Sequence, residues 1–413
     1  MSRKMKDSGI EWIGEIPKDW EIRKLKHVCN IDSGEYVAKD EYSLNGEYDI
    51  IGSNGKIGTI NKLNVKKEVI TTGRVGSIGN VHIVKDVWVT DNTLIIDNKE
   101  NVILKYLSYI VPLFQYDLIS TGTAQPLITA TVLKNQYIPF TKLNEQQKIS
   151  DFLDKKIGEI DKIIENTKES IEEYKKYKQT IITETVTKGL NLEVEMKDSG
   201  IEWIGEIPEN WKIKKLRFLG ECQNGISKNA ESFGTGYPFV SYGDVYKNYE
   251  LPKTVNGLIE TNQVEQNKYS VIYGDVFFTR TSETIEEVGF ASTCLRTIKN
   301  AVFAGFVIRF RPFNKNELNP NFSKYYFRSN IHRKFFVKEM NLVTRASLSQ
   351  ELLKNLPVLL PPIKEQKQIA NFLDEKCLKI DTLIEKKEKF IKELETYKQS
   401  IIYEYVTGKK EVL

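Results

Sequence analysis

Two long stretches of this chain place apolar residues at alternating intervals of four and three. In residues 144–187 the series runs Leu153, Ile157, Ile160, Ile164, Thr167, Ile171, Tyr174, Lys178 and Ile181. Later it runs Leu373, Cys377, Ile380, Ile384, Lys387, Ile391, Leu394, Lys398 and Ile401. This is the spacing of a coiled-coil seam. Lys, Glu and Gln, all good helix formers, fill the outer faces, and Gly158 is the one Gly or Pro in either stretch. The pattern predicts two long helices, whose seam lysines weaken packing but help fix register. Elsewhere the period shortens. Residues 21–143 carry β-branched runs at Tyr48–Ile51, Val69–Thr72, Val81–Val84, Val87–Val89 and Leu94–Ile96, separated by Gly, Asn and Ser turns. Residues 212–363 show a similar order, with Tyr237–Val240, Asp275–Thr279 and one long run, Val302–Phe310. Each segment reads as a small mixed α/β domain with a twisted sheet.

The chain repeats itself. Met5–Pro17 recurs letter for letter at Met196–Pro208, and Trp20 matches Trp211, an offset of 191. A second set, Glu145-Gln146, Phe152-Leu153-Asp154, Ile160-Asp161 and Tyr177-Lys178-Gln179, recurs at Glu365-Gln366, Phe372-Leu373-Asp374, Ile380-Asp381 and Tyr397-Lys398-Gln399, an offset of 220. The intervening segments therefore differ in length, and they differ strongly in sequence. The expected layout is a linker (1–20), a first variable domain (21–143), a long helix (144–195), the linker again (196–211), a second variable domain (212–363) and a second long helix (364–413). Constant frames around divergent inserts fit one shared partner and two different targets. Recent recombination would leave the same trace.

Connectivity sets the helix direction. The first helix leads from the first domain into the second, and the second starts where the second domain ends. If they pair within the chain they pair antiparallel, with a pseudo-twofold axis and near-circular connectivity that returns the chain end to Trp20. From Leu153 to Ile181 the seam spans about 42 Å at ~1.5 Å per residue. That matches roughly 12 base pairs at ~3.4 Å each. Two domains so held could read half-sites about one duplex turn apart. A helix pair serving only dimerisation or scaffolding has the same seam.

Composition narrows the classes. The 413 residues are 40% hydrophobic and 28% charged, enough for two ordinary domains plus connectors. No run of 18 apolar residues and no apolar signal core at the N-terminus is present, so no membrane partner is expected. Cys29, Cys222, Cys294 and Cys377 lack C-x-x-C spacing, which fits ordinary thiols in a reducing cytoplasm. His27, His82 and His332 are well separated, so no metal site is expected. The net charge of +4 is uneven: residues 21–143 carry +1 and residues 212–363 carry +8. That asymmetry points weakly to a polyanion.

Catalytic signatures are missing. Gly52-Ser-Asn-Gly-Lys56 lacks the gap and hydroxyl of a phosphate loop, and Gly73-x-x-Gly76-x-x-Gly79 is not the dinucleotide fingerprint. Leu360-Pro361-Pro362-Ile363 is not the Asn/Asp-Pro-Pro-aromatic motif of amino-methyltransferases. No nucleophile, base and oxyanion donor come together. What remains is a set of polar loops. Alignment pairs Gly52-Ser53-Asn54 with Ser241-Tyr242-Gly243, Thr72-Gly73-Arg74 with Phe278-Thr279-Arg280, and Thr123-Ala124-Gln125 with Val343-Thr344-Arg345. The candidate DNA-reading residues are Ser53, Asn54, Lys56, Thr72, Arg74 and Gln125 in the first domain. In the second they are Ser241, Tyr242, Arg280, Thr344, Arg345 and Ser347. Arg suits guanine, and Asn or Gln suits adenine; the same side chains also hold phosphates. Glu283–Glu287 brings acidic charge near Arg280, able to accept from cytosine or to repel phosphate.

Gly9-Ile-Glu-Trp-Ile-Gly-Glu-Ile-Pro-x-x-Trp20, doubled at 200–211, resembles the opening of specificity subunits of type I restriction-modification enzymes. So does the Leu-Lys-Asn…Pro…Glu-Gln-x-x-Ile-x-x-Phe-Leu-Asp pattern at 133–154 and 353–374. Tyr48–Gly58, Gly73-Arg-Val-Gly76 and Thr90-Asp-Asn-Thr93 resemble a target recognition domain of that family. The resemblance covers essentially the whole chain. It implies a non-catalytic subunit that binds a bipartite, asymmetric site on double-stranded DNA, one half per domain. It implies as partners two methyltransferase subunits, which bind S-adenosylmethionine and methylate adenine, and two restriction-translocase subunits using ATP and Mg. No cofactor is expected on this chain. Two other classes stay in view: a fused methyltransferase or nuclease, against which the missing motifs count, and a scaffold binding only protein. A specificity subunit whose nuclease is fused to its methyltransferase is a further variant.

Overall fold

The computed structural model describes residues 3–122, 126–191, 193–282, 288–339 and 346–412. It falls into two units, Met1–Lys168 with Glu388–Leu413, and Glu169–Lys387. The division cuts both long helices, so each unit owns one sheet-rich domain and a part of each helix. The first helix is Leu143–Lys188 and the second Ile363–Val406. Both stop short of the expected 195 and 413. Gly189 and Gly408 adopt left-handed φ of +76° and +69°, a conformation that ends a helix by turning the next N–H groups back onto its last carbonyls. Gly189 N–H donates to Thr185 O at 3.1 Å, and Gly408 N–H to Tyr405 O at 3.1 Å.

The first unit opens with a hairpin of β1 (Met5–Asp7) and β2 (Glu15–Pro17). Next come β3 (Glu21–Lys24), β4 (Cys29–Ser33), β5 (Tyr48–Gly52), β6 (Gly55–Ile60), β7 (Val69–Gly73), β8 (Val81–Val84), β9 (Val87–Val89), β10 (Thr93–Asn98) and β11 (Tyr137–Phe140). An antiparallel sheet of order β4-β10-β7-β8 stands beside a three-stranded sheet of order β6-β5-β9, where β5 and β9 run parallel. β3 pairs with β11, joining the start of the domain to its end. Val69 to Gly73 are buried throughout, which fits a β-branched run with no apolar/polar alternation in the middle of a sheet.

The repeated motifs are the joints between domain and helix. Trp20 is 1% exposed, and its ring N–H donates to Glu145 Oε2 at 2.9 Å. Gln146 is fully buried; it accepts from Ile103 N–H at 2.9 Å and donates to Thr141 O at 2.7 Å. The end of the second helix belongs to this same unit. Tyr403 Oη donates to Ile13 O at 3.0 Å, and Tyr106 Oη to Val406 O at 3.1 Å. The chain end thus returns to the N-terminal linker, giving the near-circular connectivity.

The second unit repeats the plan. Its strands are β12 (Met196–Asp198), β13 (Glu206–Pro208), β14 (Lys212–Lys215), β15 (Gly220–Asn224), β16 (Phe233–Val240), β17 (Gly257–Ile259), β18 (Val276–Thr279), β19 (Thr281–Ser282), β20 (Ala291–Thr293), β21 (Val302–Phe303), β22 (Val307–Pro312), β23 (Ala346–Ser347) and β24 (Pro357–Leu360). The order β15-β22-β18-β20 repeats β4-β10-β7-β8, and β17-β16-β21 repeats β6-β5-β9, again with one parallel pair. Trp211 donates to Glu365 Oε2 at 3.1 Å, as Trp20 does to Glu145. The run Val302–Phe310 is not one strand. It breaks at Ala304-Gly305-Phe306 because its first part pairs with β16 in one sheet and its second with β15 and β18 in the other. Gly305, inside the run, is the one local mark of this change of sheet.

Within each unit the helix parts pair antiparallel. In the first, Phe152 packs on Tyr405 with ring centroids 4.3 Å apart, and Lys398 Nζ bonds Asp161 at 2.6 and 2.8 Å. In the second, Lys178 Nζ bonds Asp381 at 2.7 Å, and Lys387 lies over the Tyr174 ring. Partner numbers fall as first-helix numbers rise. The seam is buried as its spacing predicts: Leu153 and Leu373 are 0% exposed, and Ile157, Ile160, Ile164, Cys377 and Ile380 are all below 9%. Lys178 and Lys398 escape the apolar contact by reaching a carboxylate on the facing helix, and Lys387 by lying over the Tyr174 ring.

Candidate nucleic-acid interface

In the first unit three loops meet at one end of the two sheets. The register Gly52↔Gly55 leaves Ser53-Asn54 as a two-residue hairpin tip between β5 and β6, closed by Gly55 at φ +104°. Ser53 Oγ donates to Asn92 O at 2.8 Å, and Asn80 Nδ2 donates to Asn54 Oδ1 at 2.8 Å. Arg74 follows β7 directly. Its N–H donates to Asn92 O at 2.9 Å, and its carbonyl accepts from Ile128 N–H at 2.9 Å. Gly73 lets these loops touch, since a Cβ there would lie 2.9 Å from Ser53 O. The segment after Arg74 is pinned by Gly76 N–H on Pro126 O at 3.0 Å, with Thr121 and Leu127 paired across the next loop. Gln125 lies outside the described residues.

The second unit builds the equivalent site on the same backbone bonds. Arg280 N–H donates to Phe306 O at 2.9 Å, and its carbonyl accepts from Leu348 N–H at 2.7 Å. Thr90 N–H on Ile51 O is matched by Ala304 N–H on Val240 O. These bonds fix the correspondence residue by residue: Arg74 with Arg280, Asn92 with Phe306, and Ser53 with Tyr242. Both arginines are half-buried, and neither guanidinium has a hydrogen-bond or ion-pair partner among the described residues. Each is a half-buried cation just past a strand end, with no side-chain partner among the described residues, the state in which an Arg can take a base edge or a phosphate.

The other candidates fall in different places. Asn54 and Lys56 are exposed, with Lys56 Nζ 2.6 Å from Asp49. Ser347 is exposed on β23, which pairs with β19 beside Arg280. Thr72 is a correction: it is 0% exposed inside β7, so it supports the Arg74 loop and presents nothing to a ligand. Ser241 is a second correction. Its Oγ accepts from Asp244 N–H at 3.2 Å and its N–H donates to Asp244 Oδ2 at 2.8 Å, so it caps the helix Tyr242–Lys247. Tyr242, on the first turn of that helix, stacks on Tyr246 at 5.9 Å. Thr344, Arg345 and the acidic stretch 283–287 lie outside the described residues.

Two positions escaped the sequence reading, Asn92 and its counterpart Phe306. Phe306 is 64% exposed between the two strands of the broken run, an apolar side chain at the site's surface. The glycine before it was the available signal. The charge of the second domain also needs correction as a guide to its surface. Arg309 is 7% exposed, donates to Ser270 O at 2.7 Å, and is pushed down to about 10 by burial and then by the neighbouring Arg311. Arg311 makes a two-pronged bond to buried Asp275 at 2.6 and 2.7 Å. Arg328 is held by the carbonyl of Tyr246 and lies over the Phe290 ring. Two of the eight excess charges, Arg309 and Arg328, are therefore held inside the fold, and Arg311 is neutralised by Asp275.

Among the described residues no group of His, Cys, Asp and Glu could hold a metal ion, and no helix is long and apolar enough to cross a membrane. The thiols of Cys29, Cys222 and Cys294 are pushed up to about 12, mainly by burial, which leaves them unreactive.

The family model for the type I restriction modification DNA specificity domain matches residues 17–173 and 208–396, one match for each half of the repeat. A Methanocaldococcus jannaschii protein named for the specificity subunit of the type I restriction enzyme MjaX is 28% identical over 97% of this chain and 96% of its own length. The MjaVIII specificity subunit of the same organism is 27% identical over 78% of this chain and 74% of its own. A solved chain from a study of complex assembly and conformational transition in a type I restriction-modification system superposes with a TM-score of 0.70. It covers 96% of this chain and 99% of that one at 18% identity, which shows a shared fold. The chain belongs to the type I restriction-modification DNA specificity family.

Proposed function

We propose that this chain reads double-stranded DNA as the specificity subunit of a type I restriction-modification complex and supplies no catalytic group. It binds a bipartite, asymmetric site, one half per domain, and the helix pair sets the unread gap. Two methyltransferase subunits dock on the constant frames, bring S-adenosylmethionine and methylate adenine. Two restriction-translocase subunits bring ATP and Mg. This chain holds none of these cofactors.

One observation carries the reading. Two loop clusters with the same backbone bonds carry different residues at matched positions: Ser53, Asn54 and Asn92 in one, Tyr242, Gly243 and Phe306 in the other, each beside an Arg with no side-chain partner among the described residues. A constant scaffold with substituted tips is what two readers of different half-sites require. Family membership supports the same reading.

Co-expression with a cognate methyltransferase, followed by mapping of modified adenines on genomic DNA, tests it. The expected result is two short words separated by unspecified bases. Exchanging residues 212–363 for another such domain changes one word only. Deleting seven residues from each helix shortens the gap. An uninterrupted modified word would overturn the proposal, as would methylation by the isolated chain.

A further inference from the structure

The two units differ at one sheet edge, and the difference exposes a socket. In the second unit β20 does not end its sheet bare. Thr293 N–H donates to Tyr249 O at 3.0 Å and Leu251 N–H donates to Thr293 O at 3.0 Å, so Tyr249-Glu250-Leu251 runs parallel along the edge. Tyr249 fills a socket between the helices and the domain. Gln179 donates to its hydroxyl at 2.5 Å, Lys178 lies 5.2 Å from its ring centroid, and Tyr325 packs against it at 6.0 Å. Glu250 takes Lys324 at 3.3 Å.

The first unit has most of the same socket, with Pro112 in its lining where the second unit has Arg328, 5.3 Å from the Tyr249 ring centroid. By sheet register β8 is the counterpart of β20: Ile70 pairs with Ile83 where Val276 pairs with Thr293. β8 ends its sheet, and Ile83 is 37% exposed. A cleft of about 730 Å³ lies beside it, lined among others by Ile83, Lys105, Tyr109, Lys398 and Gln399. Lys398 and Gln399 are the repeat copies of Lys178 and Gln179. Tyr109 is the copy of Tyr325, since both hydroxyls bond the matched carboxylates Asp154 and Asp374. Lys105 reaches Asp154 at 2.9 Å, as Lys324 reaches Asp374. No described segment of the first unit supplies the strand or the tyrosine, because the stretch between its β5 and β7 lacks the residues that carry Tyr249 in the second unit.

We infer that the β8 edge and its cleft take an extended segment of a partner polypeptide, running parallel to β8 and carrying a tyrosine followed by an acidic and then an aliphatic residue. The strand adds to the sheet through the backbone of Ile83. The tyrosine ring enters between Lys398 and Tyr109 with its hydroxyl on Gln399, and the acidic residue meets Lys105. The occupant's chemistry is set by what the repeat copy of the socket already holds. That partner would be a subunit of the complex proposed above; the socket itself does not depend on DNA reading.

The test uses the full-length chain with isoleucine methyl groups labelled, titrated with a synthetic peptide of residues 247–254, Lys-Asn-Tyr-Glu-Leu-Pro-Lys-Thr. Saturable shifts are expected at Ile83, Ile157 and Ile402 with little change in the second unit. Replacing the peptide's tyrosine by alanine should weaken binding about tenfold, the loss of one ring contact and one hydrogen bond. Gln399→Trp should abolish it, and the peptide substitution keeps the test valid if that variant folds poorly. In the reconstituted complex with methyltransferase subunits the same peptide should no longer bind. Absence of shifts at millimolar peptide, indifference to the tyrosine, or unchanged binding to the assembled complex would each overturn the inference.

Discussion

Gln366 joins the second domain to the second helix, and its removal should loosen one unit and leave the other untouched. It is 1% exposed, accepts from Asn319 N–H at 2.8 Å, and donates to the carbonyls of Pro361 and Glu317, both at 2.8 Å. Methionine in its place keeps the volume, so little cavity forms. What is lost is polar: one N–H and two carbonyls lose their partner. Each orphaned buried group costs about 1–3 kcal/mol, with carbonyls at the low end because a second lone pair can find water. The sum for Gln366→Met is about 3 kcal/mol, a factor of ~10² in the opening equilibrium. Native-state hydrogen exchange on the full chain reads this directly. Peptides covering 319–327 and 357–377 should exchange about a hundredfold faster, while peptides from 93–110 and 143–160 keep their protection. Gln146→Met should do the reverse, because Gln146 holds Ile103 and Thr141 in the first unit. Equal loss of protection in both units, or less than about a threefold change in the targeted one, would refute the assignment of this residue as the joint.

The crossed ion pairs should register in a double-mutant cycle. Lys178 and Lys398 are partly shielded and their carboxylates about half exposed, so solvent screening limits the coupling of Lys178 with Asp381 to about 0.5–1 kcal/mol, falling in high salt; zero coupling in urea unfolding would show the pairs to be incidental. Arg74→Ala and Arg280→Ala should each degrade one half of the modified word, seen by adenine mapping, with the fold unchanged by circular dichroism; loss at both halves would argue against one reader per domain. His332 is buried against Tyr326, and its pKa is depressed to about 3, first by desolvation. The unfolded chain binds this proton near 6.5 and the folded chain does not, so stability falls as pH drops from about 6.5 toward 3, by about 1.4 kcal/mol per pH unit. His332→Phe should flatten that slope in urea midpoints, and an unchanged slope would place the titration elsewhere.

How much was legible in the sequence depends on where each residue's partners lie. The long helices were legible because their seam repeats locally; burial follows it from Leu153 to Ile171 and from Leu373 to Ile380, whereas Ile181, Ile384 and Leu394 are only half-buried. The strands β5, β7, β8, β9 and β10 were legible as β-branched runs. The break at Gly305 was legible only as a glycine inside an apolar run; that its two parts join different sheets is set by β16 on one side and by β15 and β18 on the other, all far along the chain. Ser241 was misread although its signal was local: Asp244 stands three residues on, the spacing of a capping box. Thr72 was misread because a polar residue next to a loop arginine looks exposed until the sheet is closed over it. The second domain's charge misled for the same reason. Arg309, Arg311 and Arg328 have their partners at Ser270, Asp275 and Tyr246, none of them close in sequence.

These misreadings share a cause with the function proposed. In each unit the sequence-invariant joints, Trp20 with Glu145 and Trp211 with Glu365, hold the ends of the domain to the helices. β3 with β11 and β14 with β24 close each domain on itself. Between those closures the two units share the backbone bonds around Arg74 and Arg280 and differ elsewhere: Ser53 sits on a hairpin tip where the matched Tyr242 opens a capped helix, and Asn92 stands where the other unit has an exposed Phe306. A scaffold that fixes the ends of an insert and leaves its tips unconstrained can exchange one reader for another without repacking the joint. The same logic explains the socket beside β8. Its lining from the helix side, Lys398 and Gln399, is fixed by the repeat, whereas the strand that would cover it belongs to the part of the chain that varies.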